Sequence, residues 1–270
     1  MMLRKRLEND LYACGRAGLP ETVYLAGRQW RRICTFKHDF FAATGMYTVN
    51  DPAEQAERMV LKMGRMQPFF GVPLGWLGRF LRNREVRLLR QLKDIDQVPQ
   101  LLGDFGRQGF AYRFIEGLSL DERPIVPNNF FDSLAVLLEK LHQRGICYID
   151  MNKRGNILLG EDGRPYLIDF QISLVLDRPL CRGLCRYFQH EDHYHLLKHK
   201  RRFRPDLMTS EQRKLSRRIS WPIRLHRLFT VPLRNLRRRL MAFLYRKGVL
   251  LCDGGDPRTP ENDPSRYLRS

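Results

Sequence analysis

Short apolar, β-branched-rich runs separated by turn residues fill the middle of the chain, and two longer stretches carry apolar residues at spacings of three and four. The short runs predict strands at Arg32 to Phe36, Gly45 to Val49 and Arg58 to Lys62, with Asn50-Asp-Pro52 as the loop before the third. Gln97 to Gly103 and Phe110 to Gly117 predict two more strands around a turn from Gly106 to Gly109. Asn156 to Leu159 and Tyr166 to Ile168 predict a β-hairpin, because Gly160-Glu-Asp-Gly163 between them carries Asp-Gly turn chemistry. A helix is expected over Asn83 to Leu92, with Leu81, Leu88, Leu89 and Leu92 on its apolar face and Glu85 one turn ahead, at the edge of that stripe. A second helix, with Asn129 as its cap, places Phe130, Phe131, Leu134, Leu137, Leu138 and Leu141 on one buried stripe. Before these elements, Leu3 to Trp30 reads as a helical segment broken by Gly15, Gly18 and Pro20.

One stretch carries most of the candidate chemistry: Gly145-Ile-Cys-Tyr-Ile-Asp-Met-Asn-Lys-Arg-Gly-Asn-Ile-Leu-Leu159, followed by Tyr166-Leu-Ile-Asp-Phe-Gln171. The predicted hairpin sets Asn156 and Asp169 at adjoining strand ends, with Asp150 on the loop before them. An amide oxygen beside a carboxylate suits a hard, oxygen-seeking cation such as Mg²⁺. This ordered set resembles the catalytic and metal-binding loops of the protein-kinase-like superfamily. Lys62, at the end of Val60-Leu-Lys62, matches that family's strand lysine, and Glu85 its helix glutamate; Phe114-Ile-Glu-Gly117 resembles the hinge that meets the adenine ring. The chain departs from the pattern at Tyr148 and Ile149, where the family has His and Arg, at Gln171 in place of Gly, and by one extra residue between Asp150 and Lys153. The connection Lys37 to Thr44, expected to cover the phosphates, contains no glycine.

The resemblance covers about Arg31 to Ser173 and implies an α+β, two-lobed kinase-like fold with a short C-terminal lobe and a basic helical extension. It implies ATP and Mg²⁺ as cofactors. Asp150 then orients or deprotonates the acceptor hydroxyl, and Lys153 neutralises the transferred phosphoryl group. Asn156 and Asp169 hold the metal, Lys62 with Glu85 anchors ATP, and Phe114 and Glu116 line the nucleotide. The expected divisions are 1–30 helical, 31–113 nucleotide lobe, 114–190 catalytic lobe, 191–251 basic extension and 252–270 disordered tail.

Charge adds a candidate surface. The chain has 270 residues and a net charge of +19, and its 43% hydrophobic content supports a folded core. Between Leu196 and Lys247 seventeen Lys or Arg face only Asp206 and Glu211, which concentrates +15 of the charge there. Ile219 to Leu228 and Leu233 to Leu244 read as basic amphipathic helices broken by Pro222 and Pro232, suited to an anionic membrane surface. The greasy stretch from Phe69 to Leu81 either dips into a bilayer interface or packs as a short helix on the small lobe. No nucleic-acid module is recognisable, and neither a signal peptide nor a spanning segment, so a cytoplasmic protein peripheral to the inner membrane face is expected. Six scattered cysteines fit reduced thiols. His195 and His199 lie one helical turn apart, but Lys198, Lys200, Arg201 and Arg202 would repel a cation between them. The acceptor suggested by the resemblance to small bacterial lipopolysaccharide-core kinases is a glycolipid sugar; a protein serine or threonine is the alternative, and a pseudokinase scaffold the second.

Overall fold

The structure, a computed structural model, describes residues 10–49, 57–69 and 71–217, which fall into two compact units. The first takes residues up to Val86 and then Leu101–Phe114; the second takes Arg87–Gln100 and continues from Ile115.

In the first unit, β1 (Thr22–Leu25), β2 (Arg28–His38), β3 (Ala42–Val49), β4 (Arg58–Gly64), β5 (Leu101–Phe105) and β6 (Gly109–Arg113) form one antiparallel sheet in the order β1-β2-β3-β4-β6-β5. Its core gathers Leu19, Val23, Trp30, Tyr47, Met59 and Leu61 with Ala13, Cys14 and Ala111. Thr22–Leu25 is thus a strand, not part of a helical segment: Ala26 and Gly27 both adopt positive φ and turn it back onto β2, and Val23 falls on the buried face. The connection expected over Lys37 to Thr44 is much shorter. Lys37 pairs with Thr44 and His38 with Ala43, which leaves a tip of four residues, Asp39 to Ala42. Asp39 closes it by accepting from the amides of Phe41 (2.8 Å) and Ala42 (3.0 Å). Burial opposes ionisation of Asp39, yet Lys37 and those two amides prevail and hold its carboxyl below the usual range.

Helix α1 (Gly75–Gln91) starts two turns earlier than periodicity suggested, so Gly75 to Leu81 of the greasy stretch is its first part. Two glycines explain how it reaches the sheet. A Cβ on Gly78 would sit 2.2 Å from the carbonyl oxygen of Arg65, and one on Gly64 2.8 Å from that of Gly78. Only hydrogen at both positions allows the helix to lie against the end of β4. Trp76, Phe80 and the nearby Val72 stay more than half exposed. Arg65 is almost fully buried; its guanidinium lies 3.9 Å from the ring of Phe40 and donates to the carbonyls of Phe40, Pro68 and Asp10.

In the second unit, β7 (Gly117–Ser119), β9 (Ile157–Gly160) and β10 (Pro165–Leu167) form a small antiparallel sheet, and the two-residue strands β8 (Ile146–Cys147) and β11 (Leu174–Val175) pair separately. The β9–β10 hairpin matches the sequence prediction, with Leu158 opposite Tyr166. Gln97 to Gln100, expected in a strand, lies outside the sheet; Gln97 instead ties to the hairpin, its carbonyl accepting from Leu167 and its amide donating to Pro165. Helix α2 (Phe130–Gln143) buries all six residues of its predicted stripe, although the Asn129 side chain makes no capping bond. Helix α3 (Arg182–Phe203) runs through the boundary expected at residue 190, and a short α4 (Ser210–Leu215) follows, capped by Thr209. The predicted basic helices, the tail from Cys252 and the first nine residues lie outside the described residues. No helix among the described residues is long and apolar enough to cross a membrane.

Candidate functional site

Each unit carries a part of the predicted site. In the first, β4 presents Lys62 and α1 presents Glu85, and the ammonium lies 2.9 Å from the carboxylate. Both side chains are buried, so the two charges compensate each other where neither would be tolerated alone. Phe114, which ends the Leu101–Phe114 segment of this unit, spends its amide on the Arg58 carbonyl (3.0 Å), and its ring stacks with Phe36 beneath the Arg58 guanidinium. Glu116, in the second unit, accepts the Glu161 amide on its carbonyl.

The acidic loop of the second unit is assembled from two consecutive 3-10 turns, Asp150–Asn152 and Arg154–Asn156. One oxygen of Asp150 accepts from Lys153 Nζ and from Asn156 Nδ2, each at 2.8 Å. That contact turns the Asn156 amide nitrogen inward, and its oxygen is the atom that can meet a cation. Asp169 follows β10 in the left-handed conformation, at φ 61°. Its neighbour Ile168 donates to the Asn156 carbonyl, so the hairpin holds both candidate metal ligands at one end. Carboxylate plus amide oxygen is a donor set that fits Mg²⁺.

Ile149 explains how Asp150 is aimed. It has φ 68° and ψ −39°, rare for a β-branched residue, and the Asp150 amide donates to the Tyr148 carbonyl across it at 2.8 Å. This is a γ-turn of the strained hand. What holds it is Asp192 on α3, fully buried, whose carboxylate accepts from the amides of Tyr148 (2.9 Å) and Ile149 (2.8 Å) and from His142 Nε2 (3.0 Å). Farther along α3, Lys198 donates to Asn152 Oδ1 and His199 Nε2 donates to the Met151 carbonyl at 2.7 Å. The second half of the His-rich run thus fastens the loop from behind. Burial pushes the His199 imidazole down to about 4, so it is neutral at physiological pH.

Tyr148 joins the remaining pieces. Its phenol donates to the Ile168 carbonyl, its ring meets Phe170 edge to face at 5.0 Å, and its carbonyl accepts from Ser173 Oγ. Full burial, and then the negative charges of Asp169, Asp150 and Asp192, hold the phenol well above its ordinary range and therefore protonated.

No protein-family model and no curated protein matches the chain. Among solved structures it is similar to the Rio2 kinase in an ADP/Mg²⁺-phosphoaspartate complex from Chaetomium thermophilum. The TM-score is 0.50 at 16% identity, with 66% of this chain and 58% of that chain covered. The fold is kinase-like.

On a kinase-like fold, the two sequence departures at Tyr148 and Ile149 acquire a structural reading. Tyr148 is a buried strut to the Asp169 strand end, and Ile149 contributes its backbone, not its side chain, to the Asp192 clamp. The residues that sequence reasoning missed are Asp192, Lys198 and His199 as anchors of the acidic loop. A signal existed: Cys185, Asp192, Leu196 and His199 follow helical spacing and share the buried face of α3, so two polar residues occupy positions where an apolar one is the default.

Proposed function

We propose that the protein is an ATP- and Mg²⁺-dependent phosphotransferase acting on an alcohol hydroxyl. The observation that carries this reading is the Asp150 carboxylate, bonded to Lys153 and Asn156 and held in a strained turn beside the strand end that bears Asp169. Strain of this kind persists only where the surroundings over-determine it, and it concentrates at functional sites. In this reading Asp150 orients the acceptor hydroxyl and takes up its proton, while Lys153, on an exposed side chain that can leave its partner, follows the charge on the transferred group. Asn156 and Asp169 hold the metal, which when bound neutralises the phosphate oxygens. Lys62, fixed by Glu85, supplies the cation for the nucleotide phosphates, and the segment from Phe114 to Glu116 contacts the base. The complex that names the similar Rio2 structure contains ADP and Mg²⁺, in keeping with this assignment.

For the acceptor we favour a glycolipid sugar at an anionic, cytoplasmic membrane face. Exposed Val72, Trp76 and Phe80 lie just before and within the first turns of α1, with Arg79 beside Phe80 and Arg84 one turn on, and aromatic side chains among arginines suit a lipid interface. A protein serine or threonine acceptor is the rival.

The test is ATP turnover with Mg²⁺ on membrane glycolipid extracts and, separately, on generic protein substrates. Wild type should transfer phosphate to the glycolipid fraction. Asp150→Asn should bind ATP normally and transfer roughly 10²-fold more slowly, as for a lost base. Asp169→Ala should abolish Mg²⁺-dependent turnover, and normal turnover in that variant would remove the phosphotransferase reading. Transfer to protein at an equal rate would move the acceptor to the rival class.

A further inference from the structure

Away from the acidic loop, α2 and α3 bring together three metal-ligating side chains that the phosphotransfer reading leaves without a role. Glu139 and His142 stand three residues apart on α2, a spacing that puts both on one face, and the Glu-x-x-His pattern is one that helical metal sites use. His193 on α3 faces them. One ligand atom from each of the three lies within 4.8 Å of the other two, and the His142 and His193 rings meet edge to face at 5.3 Å. We propose that Glu139, His142 and His193 bind one divalent transition-metal ion of the zinc type.

The ligand chemistry selects this class. Two imidazole nitrogens and a carboxylate form the three-ligand set of open zinc sites, whereas Mg²⁺ and Ca²⁺ demand oxygens. Ligands on a tetrahedral ion at bond lengths of about 2.0–2.1 Å stand roughly 3.3 Å apart, so the three donors need to close by up to about 1.5 Å. Glu139 is exposed and His193 half-buried, and side-chain rotation supplies that movement. Gln143 holds one Glu139 oxygen at 3.2 Å and leaves the other to turn inward.

The partner that a metal-binding imidazole requires on its far side is already built. His142 Nε2 lies 3.0 Å from the carboxylate of the fully buried Asp192, which can only accept, so a neutral ring in this contact carries its proton on Nε2 and offers Nδ1 to a metal. The basic residues that argue against an ion between His195 and His199 belong to the later turns of α3, while the turn carrying His193 also carries Glu191 and Asp192. Asp192 also grips the amides of Tyr148 and Ile149. An ion on His142 Nδ1 polarises the Nε2 proton toward Asp192, so occupancy should stiffen the turn that aims Asp150 and raise the unfolding temperature.

The experiment uses the full-length chain stripped with a chelator and titrated with Co²⁺, whose tetrahedral complexes absorb in the visible, and then with Zn²⁺ in competition. One equivalent of Co²⁺ should give the ligand-field bands, Zn²⁺ should bleach them, and Zn²⁺ should raise the unfolding temperature. His193→Ala and Glu139→Gln, both at accessible positions, should each weaken Co²⁺ binding at least 100-fold while their circular dichroism stays native; His190→Ala and His195→Ala should bind as wild type. Absence of saturable Co²⁺ binding in wild type overturns the proposal, as does binding that survives both ligand variants or disappears in His190→Ala or His195→Ala. None of these readouts depends on phosphotransfer.

Discussion

At the scale of the residue, Asp192 bears more of the candidate site than any group the sequence pointed to. It satisfies two backbone amides and an imidazole while itself fully buried. Asp192→Asn keeps the size but turns an N–H₂ group toward donors, so at least one buried donor loses its acceptor. The expected cost is about 3 kcal/mol in urea unfolding. On the proposed function, if the strained turn at Ile149 relaxes with it, ATP binding should persist while transfer falls. His199 makes a pH-dependent contribution whose sign follows from its lowered pKa. As pH falls from about 6.5 toward about 4 the unfolded chain takes up a proton that the folded form refuses, so stability is lost on acidification and is fully present above that range. Between pH 7 and pH 5 the difference is about 2 kcal/mol. Urea titrations of wild type and His199→Gln at the two pH values should show that the variant loses less; equal losses would mean that His199 titrates normally in the folded protein.

At the scale of the element, the placing of α1 depends on absent side chains. Gly78→Ala would drive a methyl group into the Arg65 backbone, which has no rotamer to escape by, and the helix must lift from β4. A loss of about 2–3 kcal/mol is expected, and on the proposed function nucleotide binding weakens as well, because Glu85 moves away from Lys62. Gly183, near the start of α3, has open space where a methyl group would point, with nothing within 4 Å, and Gly183→Ala should be neutral or stabilising by up to about 1 kcal/mol. Thermal unfolding of the pair checks both signs. What was legible in the sequence divides along similar lines. The β9–β10 hairpin and the α2 stripe could be read because local turn chemistry and periodicity coincide with the final structure. Strand β1 could not: it has four residues, and its turn is Ala26-Gly27 instead of Asn-Gly. Asp150, Lys153 and Asn156 were found by spacing and are joined by direct hydrogen bonds, whereas the anchors on α3 lie more than forty residues away in sequence, and no local pattern could attach them.

At the scale of the whole molecule, the first unit is not a continuous piece of chain. Its sheet needs β5 and β6, which follow a segment belonging to the other unit. A fragment ending at Gln100 should therefore aggregate instead of folding as a small sheet domain, which size-exclusion chromatography of the refolded fragment would reveal; a monomeric, cooperatively unfolding fragment would contradict this. β6 inserts between β4 and β5, and its register runs from Met59 opposite Arg113 to Met63 opposite Gly109. During synthesis β4 emerges long before the strand that will cover its free edge. At about 5–20 residues per second, the roughly fifty residues from Gly64 to Arg113 take about 3–10 s to appear. For that interval the nascent chain carries an open, apolar strand edge, and a chaperone at the ribosome exit has its strongest claim on this protein there.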